Sequence, residues 1–216
     1  MRKEGWSCEP FSGPFAVGSG PFRVRGTVLS GALDRIERRV PGGFAAVREA
    51  IGEPAVLAFF EDAIFLASAL YDIVPLIHLV RALARLAGQS TDQLVRSGAK
   101  SAAERDVQSL YRAQMKSASP EEMASRLPRI FNRYFEPSRA EEVSVGPGVM
   151  ETRFERLPAP YAGYYVWSNE GFIEGALGAS GARDVRCVFS GPTPDGEISG
   201  IPLVRVGCKI TWTAGV

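Results

Sequence analysis

The chain contains a single histidine, His78, inside the apolar run DIVPLIHLVRAL at 72–83. An imidazole there has three chemistries open to it: axial ligation of haem iron, ligation of another metal, or general-base catalysis. At about 100° per residue along a helix it shares a face with Tyr71, Arg81, Arg85 and Gln89. Ile73, Leu76, Leu79, Val80, Leu83 and Ala87 fall on the other side, toward a core. Two arginines beside the imidazole would repel a metal cation but could pair with haem propionates. The expectation is therefore a solvated or partner-facing histidine, with haem ligation by His78 assisted by Arg81 or Arg85 as the alternative. A catalytic base would need a nucleophile beside it, and neither GxSxG nor a Cys–His signature is present.

Other residues carry weaker signals. Glu170 and Glu174 lie four apart in NEGFIEG, so on a helix they share a face and could do acid–base work or hold a divalent ion. No second acidic cluster completes such a site, and the plainer expectation is two solvated acids that mildly repel. GSGPF at 18–22 lacks the GK[ST] of a phosphate loop and does not sit between a strand and a helix. Arg126, Arg129 and Arg133 form the wet side of an amphipathic helix. Cys8, Cys187 and Cys208 have no CxxC spacing and form no zinc site. PYAGYYVW at 160–167 packs four large rings into a short stretch, more than one buried strand face holds. Either the strand is buried on both faces or some rings meet a pocket or a partner. Tyr161, Tyr164, Tyr165, Trp167 and the nearby Phe172 are the expected anchors for a ligand or partner. No catalytic residue and no metal site is expected.

The elements that must position these residues fall into two textures. Residues 1–21, rich in Gly, Pro and Ser, read as a flexible arm. FRVRGTVL (22–29) reads as a strand, followed by helices in SGALDRIERRV (30–40), FAAVREAIG and PAVLAFFEDAIFLAS. Asp72 can cap the helix that carries His78, with Pro75 in its first turn and an end at Gly88. Ser90 and Gln93 fit a capping box for a short helix ending near Gly98. A separate helix, SAAERDVQSLYRAQM, would turn Val107, Leu110 and Tyr111 inward. In SPEEMASRLPRIFNRYF (119–135), Ser119 caps, Pro120 takes the first helical position and Glu122 closes the box. Its apolar stripe is Met123, Leu127, Phe131 and Tyr134, with Pro128 as a kink.

After Pro137 the texture changes. GVMETRFERL (148–157) and YAGYYVW (161–167) read as strands, and SNEGFIEGALGASGA (168–182) as a helix weakened by glycine. DVRCVF and LVRVGCKITW are strands joined across a polar turn region. The second alternates cleanly, with Val204, Val206, Cys208, Ile210 and Trp212 on one face. The fold class is α+β: a helical part over 22–137, then a sheet-rich part over 148–213 with a packed helix, within one domain at 22–213.

Composition bounds the function classes. A net charge of +1 argues against a nucleic-acid partner. The most apolar window, at 55–70, is interrupted by Glu61 and Asp62, so no membrane insertion is expected. The start, MRKEGWSCEPFSG, has no apolar core of a signal peptide, and three cysteines suit a reducing cytoplasm.

The order of elements resembles a family. VRGTVLSGALDRIERRVPGGFAAVREAIG (24–52) looks like the opening of haem–nitric-oxide/oxygen-binding (H-NOX) domains, and HLVRALARLAGQSTDQLVRSG (78–98) like their middle segment. VRCVF and RVGCKITW resemble their closing β-ribbon. GFIEGALGASGARDVRCVF is also similar to uncharacterised bacterial relatives and to the vinyl-reductase-type and TRAPP-type domains. The likeness spans roughly residues 22–213 and rests on pattern and order. It implies an H-NOX-like fold, while the family's haem ligands are missing where they should fall. The helix at 119–135 offers Asn132 and Tyr134 in place of the family's histidine, and His78 lies one element too early. The Tyr-x-Ser-x-Arg propionate clamp should fall near 148–170, where METRFER supplies Arg153 and Arg156 without the pattern. The resemblance thus implies a non-enzymatic, haem-free regulatory sensor or adaptor without a cofactor. It would bind an apolar small ligand or a protein partner, or self-associate. A haem-based gas sensor using His78 is the alternative, and an enzyme using Glu170 and Glu174 a weaker third reading.

Overall fold

The computed structural model describes residues 5–61, 64–109 and 119–215, with backbone alone at 106–109. Helices fill the first part and an antiparallel sheet with a packed helix the second, so the fold is α+β. Strand β1 (Arg23–Arg25) runs directly into α1 (Gly26–Arg39), so the strand expected over 22–29 is short. Gly26 permits the junction: a Cβ there would lie 2.1 Å from the Leu66 carbonyl oxygen. Next come α2 (Gly43–Ile51) and α3 (Pro54–Glu61). The helix expected through residue 68 is shorter, because Phe65 turns back onto Phe59, Phe60 and Tyr71. β2 (Leu70–Asp72) pairs with β1, and β3 (Phe135–Glu136) pairs along β1's other edge.

Helix α4 (Val74–Leu86) follows with Pro75 in its first turn. Asp72 serves it as expected and does more. Its Oδ1 accepts from the Val74 N–H at 3.0 Å, while Oδ2 accepts from the N–H groups of Gly18 at 3.0 Å and Gly20 at 3.1 Å. A buried carboxylate must find such donors, and this one ties the lead-in segment to the helix. The arm expected at 1–21 is thus irregular but pinned from residue 7 onward. Ser7 and Glu9 exchange backbone hydrogen bonds with Gly163 and Pro160, and Cys8 is buried.

Helix α5 (Thr91–Ser109) is continuous where two helices were expected. Gly98 does not stop it: the residue keeps helical backbone and makes room for a neighbour, as described below. The inward turn expected for Val107, Leu110 and Tyr111 lies outside the described residues. Helix α6 (Pro120–Tyr134) starts as read, with the Ser119–Glu122 capping box formed in both directions. It buries Met123, Leu127 and Phe131, with Pro128 inside it.

The sheet comprises β4 (Arg139–Gly146), β5 (Val149–Pro158), β6 (Ala182–Phe189), β7 (Thr193–Ile198) and β8 (Ile201–Ala214). Its order is β4-β5-β8-β6, with β7 also pairing β8. The polar stretch between β6 and β8 therefore contains a strand of its own, and the tight hairpin is β7–β8. Val206, Cys208, Ile210 and Trp212 alternate inward on β8 opposite Met150, Thr152 and Phe154 of β5. Val204 departs from this face because β5 is irregular between Phe154 and Leu157.

The largest correction concerns the aromatic stretch. After a 3-10 turn at Ala159–Tyr161, residues Ala162–Ala179 form one long helix, α7. The expected strand at 161–167 is the first two turns of that helix. Every residue from 161 through 171 is buried. A helix enclosed on all sides carries no apolar stripe, so its periodicity cannot be read, and dense aromatics then mimic a strand.

Candidate functional site

An apolar cavity of about 350 Å³ lies where the helices meet the sheet. It is near the lower end of the roughly 300–1,000 Å³ typical of small-molecule sites. Helix α1 lines it with Val28, Gly31, Ala32 and Arg35, spaced at three and four along one face. Helix α4 adds Leu76, Val80 and Leu83, and α5 adds Leu94, Val95, Gly98, Ala99, Ala102 and Arg105. Helix α6 contributes Leu127, Ile130, Phe131 and Tyr134, while Tyr164, Ser168 and Phe172 of α7 recur every four residues. Ala140, Thr152, Phe154 and Ile210 form the sheet side.

Three of the cavity's uncharged polar side chains hydrogen-bond to nearby carbonyls. The Ser168 hydroxyl donates to the Tyr165 carbonyl at 3.1 Å, and the Asn169 amide donates to the same oxygen at 2.7 Å. Thr152 donates to the Glu141 carbonyl at 2.8 Å. The charged residues of the lining are Arg35 and Arg105. One Arg35 N–H donates to the Gly98 carbonyl at 3.0 Å. A Cβ at Gly98 would lie 2.7 Å from Arg35 Nη1, so the guanidinium occupies the space a side chain would fill. Burial lowers the Arg35 pKa, and the positive charges of Arg105 and Arg39 lower it further.

Of the aromatic anchors expected from sequence, Tyr164 and Phe172 line this cavity. Tyr161, Tyr165 and Trp167 are core residues, exposed by 1%, 0% and 9%, and present no surface to a partner. Tyr161 packs edge-on against Phe22 and stacks near Tyr165, while Tyr165 also meets Phe135.

His78 lines no part of the cavity. Leu76 and Val80 face it, and a residue two positions from each sits roughly 200° around the helix. The histidine is half-buried. Burial lowers its pKa, and nearby Glu53 partly opposes that while Arg81 and Arg85 add to it. The two arginines are engaged elsewhere: Arg81 pairs with Glu9 and donates to the Cys8 carbonyl at 3.0 Å, and Arg85 donates to the Ala50 carbonyl. Neither faces the cavity.

Glu170 and Glu174 are not solvated repelling acids. Glu170 is buried, and Arg96 of α5 reaches both carboxylates, standing 3.8 Å from Glu170 and closer to Glu174. Among the described residues no group of three or more His, Cys, Asp or Glu side chains could hold a metal ion. The Cys8 thiol is pushed up to about 12 by burial, which suppresses the thiolate a nucleophile would need.

Sequence reasoning missed Arg35 and Arg105. Their one visible signal was Gly98, a glycine in the middle of a helical pattern, which reads equally well as a helix end. Among the described residues no helix is long and apolar enough to cross a membrane.

No protein-family model matches this sequence, and no curated protein matches it. Solved structures do match its fold. An H-NOX-family protein studied for haem distortion superposes with a TM-score of 0.60 at 12% identity, covering 89% of this chain and 96% of that one. The unliganded Fe(II) H-NOX protein from K. algicida gives 0.59 at 13% identity, covering 89% and 98%. An oxygen-binding H-NOX domain related to soluble guanylate cyclases gives 0.59 at 12%, covering 89% and 96%. At such identity the likeness establishes an H-NOX-like fold.

Proposed function

We propose that this chain is a non-enzymatic, cytoplasmic sensor domain that binds an apolar small ligand, without haem, in the cavity between its helices and its sheet. The observation that carries this reading is the lining itself: apolar walls from five helices and four strands, with Thr152, Ser168 and Asn169 bonded to nearby carbonyls. Such a site binds by excluding water from an apolar body.

The donor set does not fit haem. Haem iron is held by His, Cys, Met or Tyr. The described lining holds no His, Cys or Met, and its phenols are Tyr134 and Tyr164. Burial pushes the Tyr164 hydroxyl well above its ordinary range, the opposite of what an iron-bound phenolate requires. His78 and its two arginines lie off the cavity, so the haem alternative has no ligand there.

Two titrations test the proposal. Haemin added to the purified protein should give no sharp Soret band sensitive to carbon monoxide. The neutral dye N-phenyl-1-naphthylamine should bind with enhanced fluorescence, and Ala102→Phe, which fills the cavity, should abolish that binding. A carbon-monoxide-sensitive band lost in His78→Ala would overturn the haem-free reading. Dye binding unchanged in Ala102→Phe would remove the cavity from the function.

A further inference from the structure

The cavity is apolar over most of its wall, yet its lining includes two arginines, Arg35 of α1 and Arg105 of α5. Neither Arg35 nor Arg105 forms an ion pair among the described residues, whereas nearby charges on the same helix do: Asp34 pairs with Arg38 at 2.8 Å. Glu37, the next acid on α1, is occupied as well, accepting from the Phe44 N–H at 3.0 Å. Arg35 is half-buried and feels the positive charge of Arg105, which is exposed, so the two leave an unbalanced positive charge at this part of the cavity wall. Helix α5 also accepts a destabilising glycine in its interior where that glycine seats the Arg35 guanidinium. The cavity's anchoring power is therefore positive.

We infer that the ligand is an amphipathic anion: an apolar body packed along the walls, with a carboxylate held by Arg35 and Arg105. Arg35 spends one N–H on the Gly98 carbonyl and keeps the rest of its fork for an incoming oxygen pair. Gly98 acts as a positioning residue, since any side chain there would displace the guanidinium from its seat. The apolar body supplies binding energy through burial, and the head group supplies orientation and selectivity.

This inference rests on the cavity reading above, and its test separates the two. Displacement of N-phenyl-1-naphthylamine by decanoate, 1-decanol and decylamine, at a pH where decanoate is ionised, compares one chain with three head groups. Decanoate should bind at least about tenfold more tightly than 1-decanol, the scale of a charge-assisted hydrogen bond, and decylamine more weakly than either. The preference for decanoate over 1-decanol should vanish in Arg35→Met/Arg105→Met, with the dye and 1-decanol still bound. Gly98→Ala provides a second variant that strengthens α5 locally and should still reduce the preference for decanoate. Added salt should weaken decanoate and leave 1-decanol alone. Equal binding of decanoate and 1-decanol, with the dye still bound, overturns the anion inference and leaves the apolar cavity standing. No binding of dye or of any decyl compound overturns the cavity reading and the inference with it.

Discussion

His78 sits on α4 midway between Leu76 and Val80, and that spacing turns it away from the cavity. Burial, the largest influence on its imidazole, favours the neutral form, so its folded pKa lies below the unfolded value near 6.5. Between those two values the unfolded chain binds a proton that the folded chain does not. Stability therefore falls as pH drops from about 6.5 toward the depressed folded value, then levels off. Replacing the imidazole removes this penalty. Urea midpoints measured from pH 8 down to pH 4.5 should show wild type losing ground relative to His78→Gln below about pH 6.5, with parallel curves above it. Parallel curves throughout would show that the histidine titrates normally. Diverging curves would make the single residue that looked most like chemistry a cost that the fold carries at low pH.

At the scale of elements, the decisive contact is the crossing of α5 over α7. Gly171 and Gly175 let the two helices touch: a Cβ at Gly171 would stand 2.0 Å from the Arg96 carbonyl oxygen, and one at Gly175 would stand 2.6 Å from that of Lys100. Both clashes are with backbone, which cannot step aside as a side-chain tip can. Gly171→Ala should therefore cost about 3 kcal/mol, the upper part of the usual range for overpacking, despite alanine's better helix propensity. Gly178, on the same helix, has nothing within 4 Å of an added Cβ. Gly178→Ala should gain up to about 1 kcal/mol from propensity alone. Chemical denaturation of the two variants beside wild type reads both signs in one experiment, and equal effects would rule out the close crossing. The glycines that made NEGFIEGALG look like a poor helix are thus what sets its packing. The same physics decides what the sequence reveals. β8 was legible because one face is wet and one is dry, so its alternation survives in Val206, Cys208, Ile210 and Trp212. The start of α6 was legible because Ser119, Pro120 and Glu122 act within a single turn. The first turns of α7 were not, because complete burial erases the pattern, and Gly98 was misread because its reason is a long-range neighbour, Arg35.

At the scale of the whole molecule, the cavity has no address in the sequence. Arg35 and Arg105 are brought to it from different helices, while Phe154 and Ile210 close it from strands far along the chain. No local pattern marks such a space, which is why Tyr164 and Phe172 could be named from sequence as anchors while the two arginines could not. A site built from so many elements couples ligand binding to the stability of the entire fold, because unfolding any wall destroys it. A ligand that binds the folded chain alone stabilises it by about 2.7 kcal/mol at a hundred times its dissociation constant. In a domain of this length, that corresponds to a rise in Tm of roughly 5–10 °C. Thermal unfolding with decanoate should show this rise in wild type, growing with the logarithm of ligand concentration. In Ala102→Phe the ring occupies the space itself, so the starting Tm should be equal or higher while the ligand-dependent rise disappears. An undiminished rise in that variant would place decanoate elsewhere on the molecule. A rise absent from both proteins would mean that the cavity holds no ligand of this class.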